Sequence, residues 1–199
     1  MMSGNQTRRE LARLWLAATA GVAGAEFSVG ASIAQTAEPT PACGHDERAT
    51  PAQTEGPYYS PKTPEKANFR ADAAGDGFNL MGFVLDRRCR PIPRALVDLW
   101  HADSQGEYDN KSYRLRGHQF TDARGRFVFE TITPGLYVGR TRHFHLKAQA
   151  PRGRILTTQL YFPDEPGNGR DGLFDRRLLM RVSNAADGKV GRFDIVLDV

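Results

Sequence analysis

His143 and His145, with Tyr137 just upstream and Tyr108 further back, are the side chains of this sequence best suited to do chemistry. In a strand, side chains two apart share a face, so the two imidazoles would point the same way, about 7 Å apart along the chain. At that spacing both can grip one metal ion. The tyrosines narrow the choice of metal. Phenolate is a hard, anionic donor, whereas zinc more often draws on cysteine, histidine and carboxylate, and no cysteine lies nearby in sequence. Two imidazoles with two phenolates suit a hard, oxidised iron centre. Taken alone, His-x-His is a weak signal that more often marks two polar residues on the exposed face of a half-buried strand, so the surroundings decide.

Residues 98–108 run from a strand through Trp100-His101-Ala102-Asp103 and Gly106 to Tyr108, and Pro134-Gly135-Leu136-Tyr137 delivers the second tyrosine shortly before the histidines. Thr54-Glu55-Gly56-Pro57-Tyr58-Tyr59, Gly82-Phe83-Val84-Leu85-Asp86, residues 91–100 and residues 156–163 complete an ordered series of segments. In that order and spacing the chain resembles the intradiol ring-cleavage dioxygenases, the family of catechol 1,2-dioxygenases and protocatechuate 3,4-dioxygenases. The resemblance implies a mononuclear, non-haem Fe(III) held by Tyr108, Tyr137, His143 and His145, with Tyr137 as the displaceable ligand. It further implies a catechol-type substrate cleaved by O2 between its hydroxyl-bearing carbons to a cis,cis-muconate-type diacid. Arg140 and Gln159 match the family's active-site arginine and glutamine, expected to stabilise developing charge and to assist by hydrogen bonding. Tyr58 is expected to line the substrate pocket. His101, His118, Tyr113, Tyr161 and Phe162 are read as structural or packing residues.

Two features qualify the match. Simple alternation puts Arg140 and the histidines on opposite faces, so a functional Arg140 requires a bend near Thr141. The family commonly has a proline after this arginine, whereas the chain reads Arg140-Thr141-Arg142-His143; losing it frees a backbone N–H, and Arg142 adds positive charge close by. The compact core resembles a protocatechuate-type subunit more than the longer catechol 1,2-dioxygenases. The competing readings are a non-catalytic β-sandwich binding module, and a zinc hydrolase, for which neither Asp103, Glu107 nor Asp109 has convincing spacing.

The elements that must position these residues read as short strands with Gly/Pro turns. Strands are expected at 80–85, 95–100, 118–121, 126–130, 142–148, 159–162 and 192–197, with a hairpin turn around residues 87–91 joining the first two. Residues 175–181 form the one credible short helix. The expected fold is therefore all-β: an antiparallel β-sandwich with long loops and at most one or two short helices. At 199 residues, 40% of them hydrophobic, the chain can bury one core. The formal charge of +4 is scattered among acids, without a basic run or a basic-aromatic stripe, which argues against nucleic acid and would at most attract anionic aromatic acids.

Residues 1–34 read as an address. Arg8-Arg9 precedes an uncharged Ala/Gly-rich run, too short for a stable membrane span and similar to a twin-arginine export signal, with cleavage near Ala34 or Ala25. The expectation is export to the periplasm or beyond, and a cytoplasmic location if residues 1–34 are only a tail. Residues 35–53 form a linker or surface arm, leaving 54–199 as the catalytic domain. In an oxidising compartment Cys43 and Cys89 could pair. The sequence leaves open the oligomeric state, a homo-oligomer included, and the choice of catechol.

Overall fold

A computed structural model describes residues 48–199. The export-signal segment, its cleavage sites and Cys43 lie outside the described residues. Two sheets face each other. Strands β1 (Gly77–Asp86), β4 (Arg126–Ile132), β7 (Arg181–Ala185), β8 (Gly188–Arg192) and β9 (Ile195–Leu197) make one; β2 (Leu96–Trp100), β3 (Arg116–Phe120), β5 (His143–Gln149) and β6 (Ile155–Tyr161) make the other, in the order β3-β2-β5-β6. Pairing is antiparallel except that β8 and β9 run parallel to β1. A 3-10 turn, Arg176–Leu178, capped by the Asp175 carboxylate, stands where a short helix is expected.

The sandwich forms because alternate residues of each strand are apolar. Val97 and Leu99 of β2, Phe144, Leu146 and Ala148 of β5, and Leu160 of β6 meet Phe78, Leu80 and Val84 of β1 and Phe127 and Phe129 of β4 in one buried core. Phe78, Phe144 and Phe162 pack with ring centroids 5.1–5.3 Å apart. The same alternation turns Asp98, Trp100, His143, His145, Gln159 and Tyr161 to the other side of their sheet, where loops cover them.

Three expectations need correction. β1 and β2 are not a hairpin but belong to different sheets. A tight turn does form, with Leu85 bridging Pro91 and the Asp86 N–H donating to the Arg90 carbonyl at 2.9 Å. Beyond it Pro91 and Pro93 carry the chain away, and the Arg94 N–H already donates to Thr121, just past β3. The expected strand at 192–197 is two strands, β8 and β9, which meet β1 at successive stretches, residues 78–81 and 84–86. Strand β7 and most of β8 lie outside every expected strand, because this exposed hairpin shows little apolar alternation.

Candidate active site

β5 places the two histidines, and register supplies their neighbours. His145 lies opposite Trp100 of β2 and Gln159 of β6, and His143 lies opposite Tyr161. The Trp100 indole stacks on the His145 ring, centroids 5.0 Å apart and planes 10° apart. The Nε2 atoms of His143 and His145 are 3.1 Å apart, and the Tyr108 hydroxyl lies 3.3 Å from the first and 3.1 Å from the second. Both histidines are almost fully buried. The Thr141 carbonyl accepts from His143 Nδ1 at 2.6 Å, which leaves the Nε2 lone pair facing inward.

Three lone-pair atoms converging in this way repel one another unless a proton or a cation lies among them. Donors bonded to one small cation at about 2.0–2.1 Å lie about 3 Å apart when adjacent, which the triangle matches. Burial pushes the Tyr108 phenol above its ordinary value, opposed chiefly by Arg140, and lowers His143 to about 4 and His145 well below its usual range. A neutral phenol and two neutral imidazoles are what the fold alone favours; a bound cation is what would make the phenol a phenolate. Among the described residues no group of three or more His, Cys, Asp and Glu is placed to hold a metal ion; the atoms that converge here belong to two imidazoles and a phenol.

Tyr137 enters from a turn, residues 137–140, closed by the Arg140 N–H donating to the Tyr137 carbonyl. Its hydroxyl is hydrogen-bonded to that of Tyr58 at 2.7 Å, and its ring stands edge-on to Tyr108 at 5.7 Å. Tyr58 stacks on Tyr108 with centroids 4.5 Å apart. Gly56, just before it, has φ +74 and approaches so closely that a Cβ would lie 3.2 Å from the His145 ring.

The same turn supplies the bend that Arg140 requires. Its Nη2 donates to Gln159 Oε1 at 2.7 Å, directly across from His145, and its Nε donates to the Asp171 carboxylate at 2.8 Å and 3.0 Å. The N–H that a proline would lack at Thr141 donates to the same carboxylate at 2.9 Å. Asp171 therefore fastens both the bend and the arginine. Gln159 is completely buried, and its Nε2 donates to the Thr54 carbonyl at 3.1 Å, so both ends of its amide are engaged. Arg142 adds no charge to this cluster: it pairs with Glu165 at 2.6 Å and donates to the Pro134 carbonyl.

All seven residues singled out by sequence thus gather on one face of the β2-β5-β6 sheet. Others were not singled out. The Tyr161 hydroxyl lies 2.8 Å from both Gln53 Oε1 and the Leu173 carbonyl and 3.2 Å from Gln159 Oε1, so Tyr161 does more than pack. Trp100 comes to the site through strand register, opposite His145, and Asp171 carries no local signal. His101 is structural, its ring nitrogens 2.7 Å from the Ala102 carbonyl and the Thr131 hydroxyl.

Comparison with known proteins bears on the family and the fold. A family model described as Dioxygenase matches residues 54–199. Catechol 1,2-dioxygenase of Acinetobacter baylyi is 28% identical over 150 residues, 60% of this chain and 48% of its own. The protocatechuate 3,4-dioxygenase beta chain of Burkholderia cepacia is 32% identical over 118 residues, 50% of each chain. The chain spans about half the length of the curated relatives it matches. Among solved structures, the dioxygenase domain of a dioxygenase carbohydrate-binding protein fusion from Streptomyces sp. SirexAA-E is 50% identical with a TM-score of 0.75, covering 76% of this chain and 99% of that one. 3-Chlorocatechol 1,2-dioxygenase of Rhodococcus opacus 1CP is 28% identical with a TM-score of 0.68, covering 76% and 73%. With a matching family model over residues 54–199 and the same sandwich in its structural neighbours, the chain belongs to the intradiol ring-cleavage dioxygenase family.

Proposed function

We propose that residues 54–199 hold a single non-haem Fe(III) and cleave the ring of a catechol between its hydroxyl-bearing carbons, incorporating both atoms of O2, to give a cis,cis-muconate-type diacid. The observation that carries the reading is the convergence of His143 Nε2, His145 Nε2 and the Tyr108 hydroxyl, with Tyr137 and Arg140 beside them. Tyr108, Tyr137, His143 and His145 would hold the iron, with Tyr137 displaceable. As a hard Lewis acid it would draw electron density from a bound catecholate and so ready the ring for O2.

The chain's own residues do the rest. The Thr141 carbonyl holds His143 in the tautomer that presents Nε2, and Trp100 fixes the His145 ring plane. A catechol must lose its hydroxyl protons to chelate, and the Tyr137 oxygen would take one. The Tyr58 hydroxyl, 2.7 Å away, then holds the released phenol. Arg140 presents a fixed positive charge to the ring oxygens, oriented in advance by Asp171 and Gln159. Since both ends of the Gln159 amide are engaged, Gln159 acts through Arg140. Relatives named for catechol, hydroxyquinol, chlorocatechol and protocatechuate support a catechol-type substrate.

Export through a twin-arginine-like signal belongs to the same proposal, supported by Arg8-Arg9 ahead of an uncharged Ala/Gly-rich run. The test is turnover of catechol, hydroxyquinol and protocatechuate by the iron-loaded chain under 18O2. Diacid carrying one labelled oxygen in each new carboxyl group is expected. No consumption of any catechol, with no retained iron, would favour the binding module instead.

A further inference from the structure

Arg116, at the start of β3 opposite Trp100, is only 1% exposed. Taking a guanidinium out of water costs several kcal/mol, and among the described residues no carboxylate forms an ion pair with it. Its donors go to neutral oxygens on two separate loops. Nη1 donates to the Tyr58 carbonyl at 2.5 Å and the Ser60 hydroxyl at 3.1 Å; Nη2 donates to the Asp109 carbonyl and lies 3.5 Å from Asn110 Oδ1. The second loop is shaped to receive it, because the Asp109 carboxylate accepts from the N–H groups of Lys111, Ser112 and Arg114. These two loops carry Tyr58 and Tyr108, whose rings stack 4.5 Å apart, with Tyr108 edge-on to His145. The planar fork of arginine spans both loops at once, which a single ammonium does not.

We propose that Arg116 is a positioning residue: it clamps the loops at residues 58–60 and 108–110 together and thereby sets the Tyr108 hydroxyl against His143 and His145. The inference rests on Tyr108 being a metal donor in the proposed function, but the clamp itself is a property of the metal-free chain. Arg116 acts through the backbone on either side of the stacked tyrosines. A residue that merely fills space would be replaceable by methionine without loosening either loop.

The test compares the full chain with Arg116→Lys and Arg116→Met. Amide hydrogen exchange is measured on the metal-free proteins, and Fe(III) affinity by competition with EDTA. In the lysine variant, exchange at residues 58–60 and 108–114 is expected to rise at least about tenfold while β5 keeps its protection. Ferric affinity should fall about 10–100-fold, the range seen when a ligand's supporting contact is removed. Wild-type exchange in both loops together with wild-type affinity in the lysine variant would overturn the clamp. Should the methionine variant fail to fold, the lysine variant decides alone. If the wild-type chain binds no iron, the metal reading falls separately, and the exchange data still decide whether Arg116 joins the loops.

Discussion

Asp171 shows how much of this site depends on residues that never touch its donor triangle. Burial pushes its carboxyl up, but the N–H donors of Leu173 and Thr141 and the Arg140 guanidinium outweigh that and hold it below the usual carboxylate range. It stays ionised and keeps Arg140 turned toward Gln159. Asp171→Asn preserves shape and removes the charge, so it is expected to retain iron while kcat falls about 10–100-fold through a mobile Arg140. Steady-state kinetics with metal analysis checks this, and unchanged kcat would mean that Asp171 serves only the backbone. The donors themselves were legible because the ordered segments around His-x-His resemble those of a known family, which the histidine pair alone did not decide. Asp171 was not, lying 31 residues along the chain from Arg140 and joined to it only by folding.

At the scale of elements, β5 and the loop before residue 60 act as a unit. Alternation on β5 sends Phe144 and Leu146 to the core and both histidines to the loops, which is why this strand could be read from sequence. The loop's approach could not, because nothing local says that Gly56 lies against His145. Gly56→Ala would strain a left-handed backbone by about 1–2 kcal/mol and crowd the imidazole, so both stability and ferric affinity should drop. Gly169→Ala is the control: nothing lies within 4 Å of the new Cβ and its backbone is not left-handed, so neither stability nor ferric affinity should change. Equal ferric affinities in the two variants would contradict this account of the loop. The β1–β2 hairpin was misread for the converse reason, since a correct local turn at residues 86–91 precedes a tertiary crossover that turn chemistry does not encode.

For the molecule as a whole, His101 ties the two sheets together, with Nε2 accepting from the Thr131 hydroxyl of β4 at 2.7 Å. Burial holds its pKa down at about 4 against 6.5 for a free imidazole. The unfolded chain therefore takes up a proton near pH 6.5 that the folded chain refuses until about pH 4. This contribution to stability is complete above the higher value and is lost on acidification, by on the order of 3 kcal/mol across the interval. Urea unfolding of the metal-free chain at about pH 7 and pH 5 should show a smaller pH difference in His101→Gln than in wild type. An identical difference would mean that His101 is not the group responsible. The sandwich was legible from apolar alternation; its bridging by a histidine was not, since His101 sits among motif residues with no pattern of its own.

The most direct test of the central claim is a visible absorption spectrum of the iron-reconstituted full chain, titrated anaerobically with catechol, alongside Tyr108→Phe. The account predicts a broad tyrosinate-to-Fe(III) band in the wild type that shifts as catechol binds, and loss or marked weakening of both band and iron in the variant. A wild-type chain that stays colourless after ferric reconstitution would contradict the four-donor site, and a variant with unaltered band and iron content would remove Tyr108 from it.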